Sequence, residues 1–122
     1  MTQTADQLAS EFALHVIGQN EAIMTRGDAR IGNKHAKQYL RCFDLLYSLG
    51  APGLDKLSEL FHHEDPGVRS MAATFLLRYK TDEALTVLRE LSNGTGLVAF
   101  GSQEAIKRWE EGSWDLEPRK QI

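Results

Sequence analysis

Cysteine is almost missing from the chain: Cys42 is the one thiol in 122 residues. That excludes an internal disulfide and any CxxC redox or zinc pair, and it fits a reducing compartment. Strand formers are scarce as well, with 5 Ile and 4 Val against 16 Leu and 12 Ala. Leu and Ala lose little freedom in a helix, whereas β-branched side chains favour strands. No stretch sustains the period-two alternation of a half-buried strand, so an all-α chain is expected. No apolar run approaches the roughly 20 residues of a membrane span. The opening Met1-Thr2-Gln3-Thr4-Ala5-Asp6 lacks the basic and apolar regions of a signal peptide, so a cytoplasmic location is expected. Positive charge is also short overall. The net charge is −3 and the pI about 5.8, unlike an indiscriminate nucleic-acid binder.

What is present is the balance of a folded domain, 42% hydrophobic and 25% charged, in a length that suits a single one. Residues 1–112 are expected to form that domain and residues 113–122 an extended tail.

Punctuation and helical period mark six helices. The first spans about residues 5–24, opened by a Thr4…Gln7 capping box, with Leu8, Phe12, Val16 and Ile17 on its apolar stripe. A loop at 25–28 leads to the second, about 29–49, which carries Leu40, Phe43, Leu46 and Tyr47 and ends at Gly50. Pro52 suits the first turn of the third, with Leu54, Leu57, Leu60 and Phe61 at helical spacing. Asp65 caps the fourth, where Val68, Ala72, Phe75, Leu76 and Tyr79 repeat along one side. Thr81 is expected to cap the fifth, whose core face is Leu85, Leu88 and Leu91. The Ser92-Asn93-Gly94-Thr95-Gly96 run breaks the chain before the sixth helix, which Gly112 stops.

The third and fourth helices can be laid over the fifth and sixth. An offset of 31 places Leu54, Leu57 and Leu60 on Leu85, Leu88 and Leu91, and an offset of 33 places Ala72, Ala73 and Leu76 on Ala105, Ile106 and Trp109. Such near-constant offsets mark a repeat. Residues 65–76, with Asp65, Val68, Arg69, Ala72, Ala73 and Leu76 in a D-x-x-V-R-x-x-A-A-x-x-L pattern, resemble the second helix of a HEAT repeat. The whole chain also resembles a small bacterial domain family with HEAT-like repeats. The resemblance implies a right-handed α-α superhelix of three antiparallel helix pairs. It also implies that Asp65 and Arg69 tie turns together while Ala72 and Ala73 let helices approach closely. In the last pair Phe100-Gly101 stands where Val-Arg would, so the arginine ladder is expected to break there. Trp109 is the candidate for sealing the far end of the core. Trp114 either folds back over that end or stays exposed as an anchor.

No catalytic constellation stands out, and an enzyme is not expected. Adjacent His62 and His63 point about 100° apart on a helix and do not converge as metal ligands; a polar turn is the plainer account. His15 and His35 are far apart in sequence. Cys42 precedes the apolar Phe43 and has no partner, as in a packed structural thiol. Gly94-Thr95-Gly96 opens a helix but lacks the Lys and the preceding strand of a phosphate loop. Neither a metal nor another cofactor is expected.

Charge distribution is more informative. Residues 1–25 contain three acidic residues and no Lys or Arg, whereas residues 26–41 carry five cations against Asp28 alone, a balance of +4. Arg30, Lys34, Lys37 and Arg41, spaced 4, 3 and 4, form one stripe on the second helix, and like charges so placed repel. Across the expected pairs the first helices sum to −6 and the second helices to +4, which in a HEAT-like stack would put a weakly basic surface on the concave side. The stripe is either a solvated face or a recognition surface for an anionic partner. The leading expectation is a protein-binding domain with an acidic partner. A nucleic-acid accessory factor is the alternative, disfavoured by the net charge and by few aromatics among the basic residues. No membrane partner is expected.

Overall fold

Side-chain caps start three of the six helices, and the observed boundaries follow them closely. A computed structural model describes residues 3–113. Trp114 and the remainder of the expected tail lie outside the described residues, which form six α-helices and no strand. Helix α1 (Ala5–Arg26) opens on Thr4, whose hydroxyl accepts from the Gln7 N–H at 3.1 Å while the Gln7 side chain accepts from the Thr4 N–H at 2.9 Å. It runs two residues beyond the expected end, because the residue able to stop it is Gly27, left-handed at φ 62°. Asp28 then accepts from the N–H groups of Arg30 and Ile31 and starts α2 (Ala29–Ser48). Gly32 lies buried inside α2 against the Ile23 side chain.

Helix α3 (Ala51–Ser58) has Pro52 in its first turn. The expected continuation to Phe61 tightens into a 3₁₀ turn, Glu59–His62, so the third helix is shorter than its leucine spacing indicates. Asp65 accepts from the Gly67 and Val68 N–H groups at 2.8 and 3.2 Å to open α4 (Pro66–Leu76). Tyr79 falls beyond its end. Helix α5 (Thr81–Ser92) corrects one assignment: Thr81 is its first residue rather than its cap. The Thr81 hydroxyl donates backward to the Leu77 carbonyl at 2.6 Å, and α5 opens at Lys80 with no side-chain cap bond. Helix α6 (Leu97–Glu111) ends at Gly112, left-handed at φ 74°.

Backbone contacts group the helices three and three, the division falling between Leu60 and Phe61, inside the expected third-and-fourth pair. In the first unit α1 and α2 form a long antiparallel hairpin with α3 packed on both. Phe12, Val16, Cys42, Phe43, Leu46 and Leu57 are its fully buried side chains. Gly53 of α3 lies so close to α2 that a Cβ there would fall on the Leu46 carbonyl. Lys56 ties α3 to the start of α1, 2.8 Å from Asp6 and 2.9 Å from Glu59. Hydrogen bonds to those two carboxylates push its pKa up to about 12. In the second unit α5 packs on both α4 and α6. Its buried residues include Val68, Ala72, Ala73, Leu76, Leu88, Ala99 and Ala105, with Trp109 half-buried. Ser102 of α6 is buried too, bonded to Ser70 of α4 at 2.8 Å and to the Val98 carbonyl at 2.9 Å.

Candidate functional site

The first hairpin carries two polar features on different sides of α2. On the outer side Arg30, Lys34, Lys37 and Arg41 are all exposed, as their spacing requires once Tyr39, Cys42, Phe43 and Leu46 are buried. Arg41 is engaged within the unit. Its guanidinium donates to the Gln3 side chain at 3.2 Å and stands 3.9 Å from Glu11. Arg30, Lys34 and Lys37 have no carboxylate among the described residues within 4.0 Å. Their mutual repulsion is therefore not relieved by an ion pair within the described chain.

The inner side is a polar seam between α1 and α2. Glu11, His15 and Gln19 follow one another at one-turn intervals on α1, and His35, Tyr39 and Cys42 do so on α2. Tyr39 donates its hydroxyl to Gln19 at 3.0 Å, and the Cys42 thiol points at Glu11 at 3.7 Å. Burial, then the Glu11 charge, pushes that thiol up to about 11. Cys42 is thus a packed, protonated thiol and a poor nucleophile. Burial likewise raises the Tyr39 hydroxyl above its ordinary value.

His15 and His35 meet across this seam with their Nδ1 atoms 3.0 Å apart and their ring centroids separated by 5.2 Å. The His35 ring lies over Gly18, where any Cβ would collide with it. Burial first, and His35 second, lower the His15 pKa, with Glu11 acting in the opposite sense. Linear separation hides this pair. The signal that reveals it is the shared periodicity, since Glu11, His15 and Gln19 form a polar stripe flanking Phe12 and Val16 on a helix joined to the next by a two-residue link. Beside His35 opens a shallow cleft of about 260 Å³ lined by Gly18, Glu21, Ala22, Arg26 and Ile31.

The repeat-motif residues are placed elsewhere, on the second unit. Asp65 caps α4, and Arg69 reaches back to donate to the His63 and Glu64 carbonyls at 2.7 and 3.2 Å. Val68, Ala72 and Ala73 are fully buried. His63 accepts from the Asp65 N–H at 3.0 Å and His62 is exposed, the geometry of a polar turn. Among the described residues no three His, Cys, Asp or Glu side chains are grouped to share a metal ion, and no helix is long and apolar enough to cross a membrane. Arg78 lies in the turn after α4 rather than on that helix, which thins the basic bias expected of the fourth helix. Compared with protein-family models, curated proteins and solved structures, the chain finds no match. The expectation of HEAT-like repeats therefore rests on the sequence pattern of residues 65–76 and on the internal offsets.

Proposed function

We propose that this protein is a non-enzymatic, HEAT-like interaction domain of the cytoplasm that receives an acidic segment of a partner protein on the basic face of α2. The observation that carries the reading is the trio Arg30, Lys34 and Lys37. They share one exposed helix face and have no carboxylate among the described residues within 4.0 Å. An outside anion would relieve their repulsion, and a helix of 20 residues packed on α1 and α3 holds them in fixed register. Such a face raises the encounter rate with an acidic partner and sets its orientation more than it sets affinity. The net charge of −3 works against duplex nucleic acid, whose phosphates the rest of the chain would repel.

The test uses fluorescence anisotropy at low ionic strength with two probes, a labelled polyglutamate peptide and a short DNA duplex. The peptide is expected to bind more tightly than the duplex. Reversing Arg30, Lys34 and Lys37 to Glu together should weaken peptide binding about tenfold or more. Tighter binding of the duplex, lost in the same variant, would transfer the face to nucleic acid. If the wild-type protein holds neither probe, the stripe is a solvated face.

A further inference from the structure

The apolar core of the first hairpin stops partway along it. The large buried side chains of α1 end at Val16, and those of α2 begin at Tyr39. Between them, in the half of the hairpin nearest the Gly27 turn, the buried residues are Ala22 and Gly32. Residues this small contribute little hydrophobic area. The His15–His35 contact sits at the boundary where the apolar packing gives out.

We propose that His15 and His35 form a one-proton latch that holds the turn-proximal half of the α1–α2 hairpin closed near neutral pH and releases it on acidification. The chemistry follows from the 3.0 Å separation of the two Nδ1 atoms. One ring must donate its Nδ1–H and the other must accept on a bare Nδ1. The neutral pair satisfies this, and so does the pair with one imidazolium. With both rings protonated, two N–H groups and two positive charges confront each other, and the bond is lost. His35 cannot slide deeper to avoid this, because its ring already rests on the Gly18 backbone.

The surrounding charges do not remove the conflict. From α1, Glu11 favours the charged form of His15, but it also faces the Arg41 guanidinium at 3.9 Å and the Cys42 thiol at 3.7 Å. Glu21 and Arg26, on the rim of the cleft beside His35, lie 4.0 Å from each other and largely cancel. On α2 the neighbouring Tyr39 is a neutral hydroxyl bonded to Gln19. From α3, Lys56 is held by Asp6 and Glu59 near the start of α1, and Asp55 precedes it on that helix. Among the described residues, Glu11 is thus the carboxylate that favours a charged His15, and it is shared with Arg41 and Cys42.

The sign is that of a base whose native pKa is lowered. Above the ordinary histidine value of 6.5 His15 is neutral whether the latch is closed or open, and the latch contributes fully. As the pH falls below 6.5, the open state takes up a proton on His15 that the closed state resists, and stability is lost. The proposal does not depend on the function of the basic face.

Two measurements test it on the full chain. Ring ¹⁵N NMR of the wild-type protein should show the pair taking up its two protons in separated steps, with His15 below 6.5. Hydrogen exchange at pH 7.5 and about pH 5, corrected for intrinsic rates, should show residues 15–35 losing protection relative to α4–α6. A His35→Gln variant keeps a neutral hydrogen-bonding group and should abolish that selective loss. Titration of His15 at its ordinary value of 6.5, independent of the other ring, would overturn the latch, as would an equal loss of protection in His35→Gln. If the variant does not fold, the wild-type titration alone decides.

Discussion

The two units solve the same packing problem with different means. The first relies on helices of 22 and 20 residues, the second on helices of 11, 12 and 15. A long hairpin gathers enough apolar contact at Phe12, Val16, Phe43 and Leu46 to tolerate a polar seam beside it, where Glu11, His15, Gln19, His35 and Tyr39 meet in place of leucines. Short helices have no such surplus, since isolated helices of that length are marginal in water. The second unit accordingly keeps its buried positions apolar or small, and among the described residues its buried polar side chain is Ser102, bonded to Ser70. It also anchors the start of α4, through the Asp65 cap and the Arg69 tie. Polar interfaces that can respond to conditions belong where burial is in excess.

That contrast can be broken or sharpened by substitutions read through urea midpoints and segment-resolved hydrogen exchange. The largest effect is expected from Gly53→Ala in the first unit, because the new Cβ meets the Leu46 backbone and not a side chain that could rotate away. A loss of about 4 kcal/mol is expected, above the usual cost of overpacking. A cost below about 1 kcal/mol would show that α3 is loosely seated. Leu88→Ala empties a fully buried site in the second unit and should cost about 3 kcal/mol. A much smaller loss would mean that the shorter helices collapse around the cavity, which would undo the contrast drawn above. The smallest effect is expected from Arg69→Met, which keeps the aliphatic stem and removes the bonds to the His63 and Glu64 carbonyls. It should cost about 1 kcal/mol, with exchange rising first around residues 62–66. An unchanged exchange rate there would remove the tie from the account of the second unit.

Much of the fold was legible because it is local. Thr4, Asp28, Asp65, Gly27 and Gly112 act on the N–H and carbonyl groups a few residues away, so five helix ends are explained by single side chains or by one permitted positive φ. Thr81 misled because a Thr hydroxyl at a helix start can accept forward or donate backward, and the Leu77 carbonyl took it. The leucine spacing of the third helix misled because Leu60 and Phe61 keep their buried side in a 3₁₀ turn as well as in an α-helix. The stripe of Arg30, Lys34, Lys37 and Arg41 was legible as a shared face, whereas the engagement of Arg41 with Gln3 and Glu11 was not, since those partners lie more than 29 residues away.

Helix content, capping and the clustering of cations on one side of α2 are properties of composition and period, and any chain with these residues in this order carries them. The meeting of His15 with His35 is of another kind. It depends on the azimuth at which two long helices face each other, which is set jointly by Phe12, Val16, Phe43 and Leu46 at the apolar end and by the absence of a side chain at Gly18. No residue holds that angle alone, so it came into being when the packed hairpin formed.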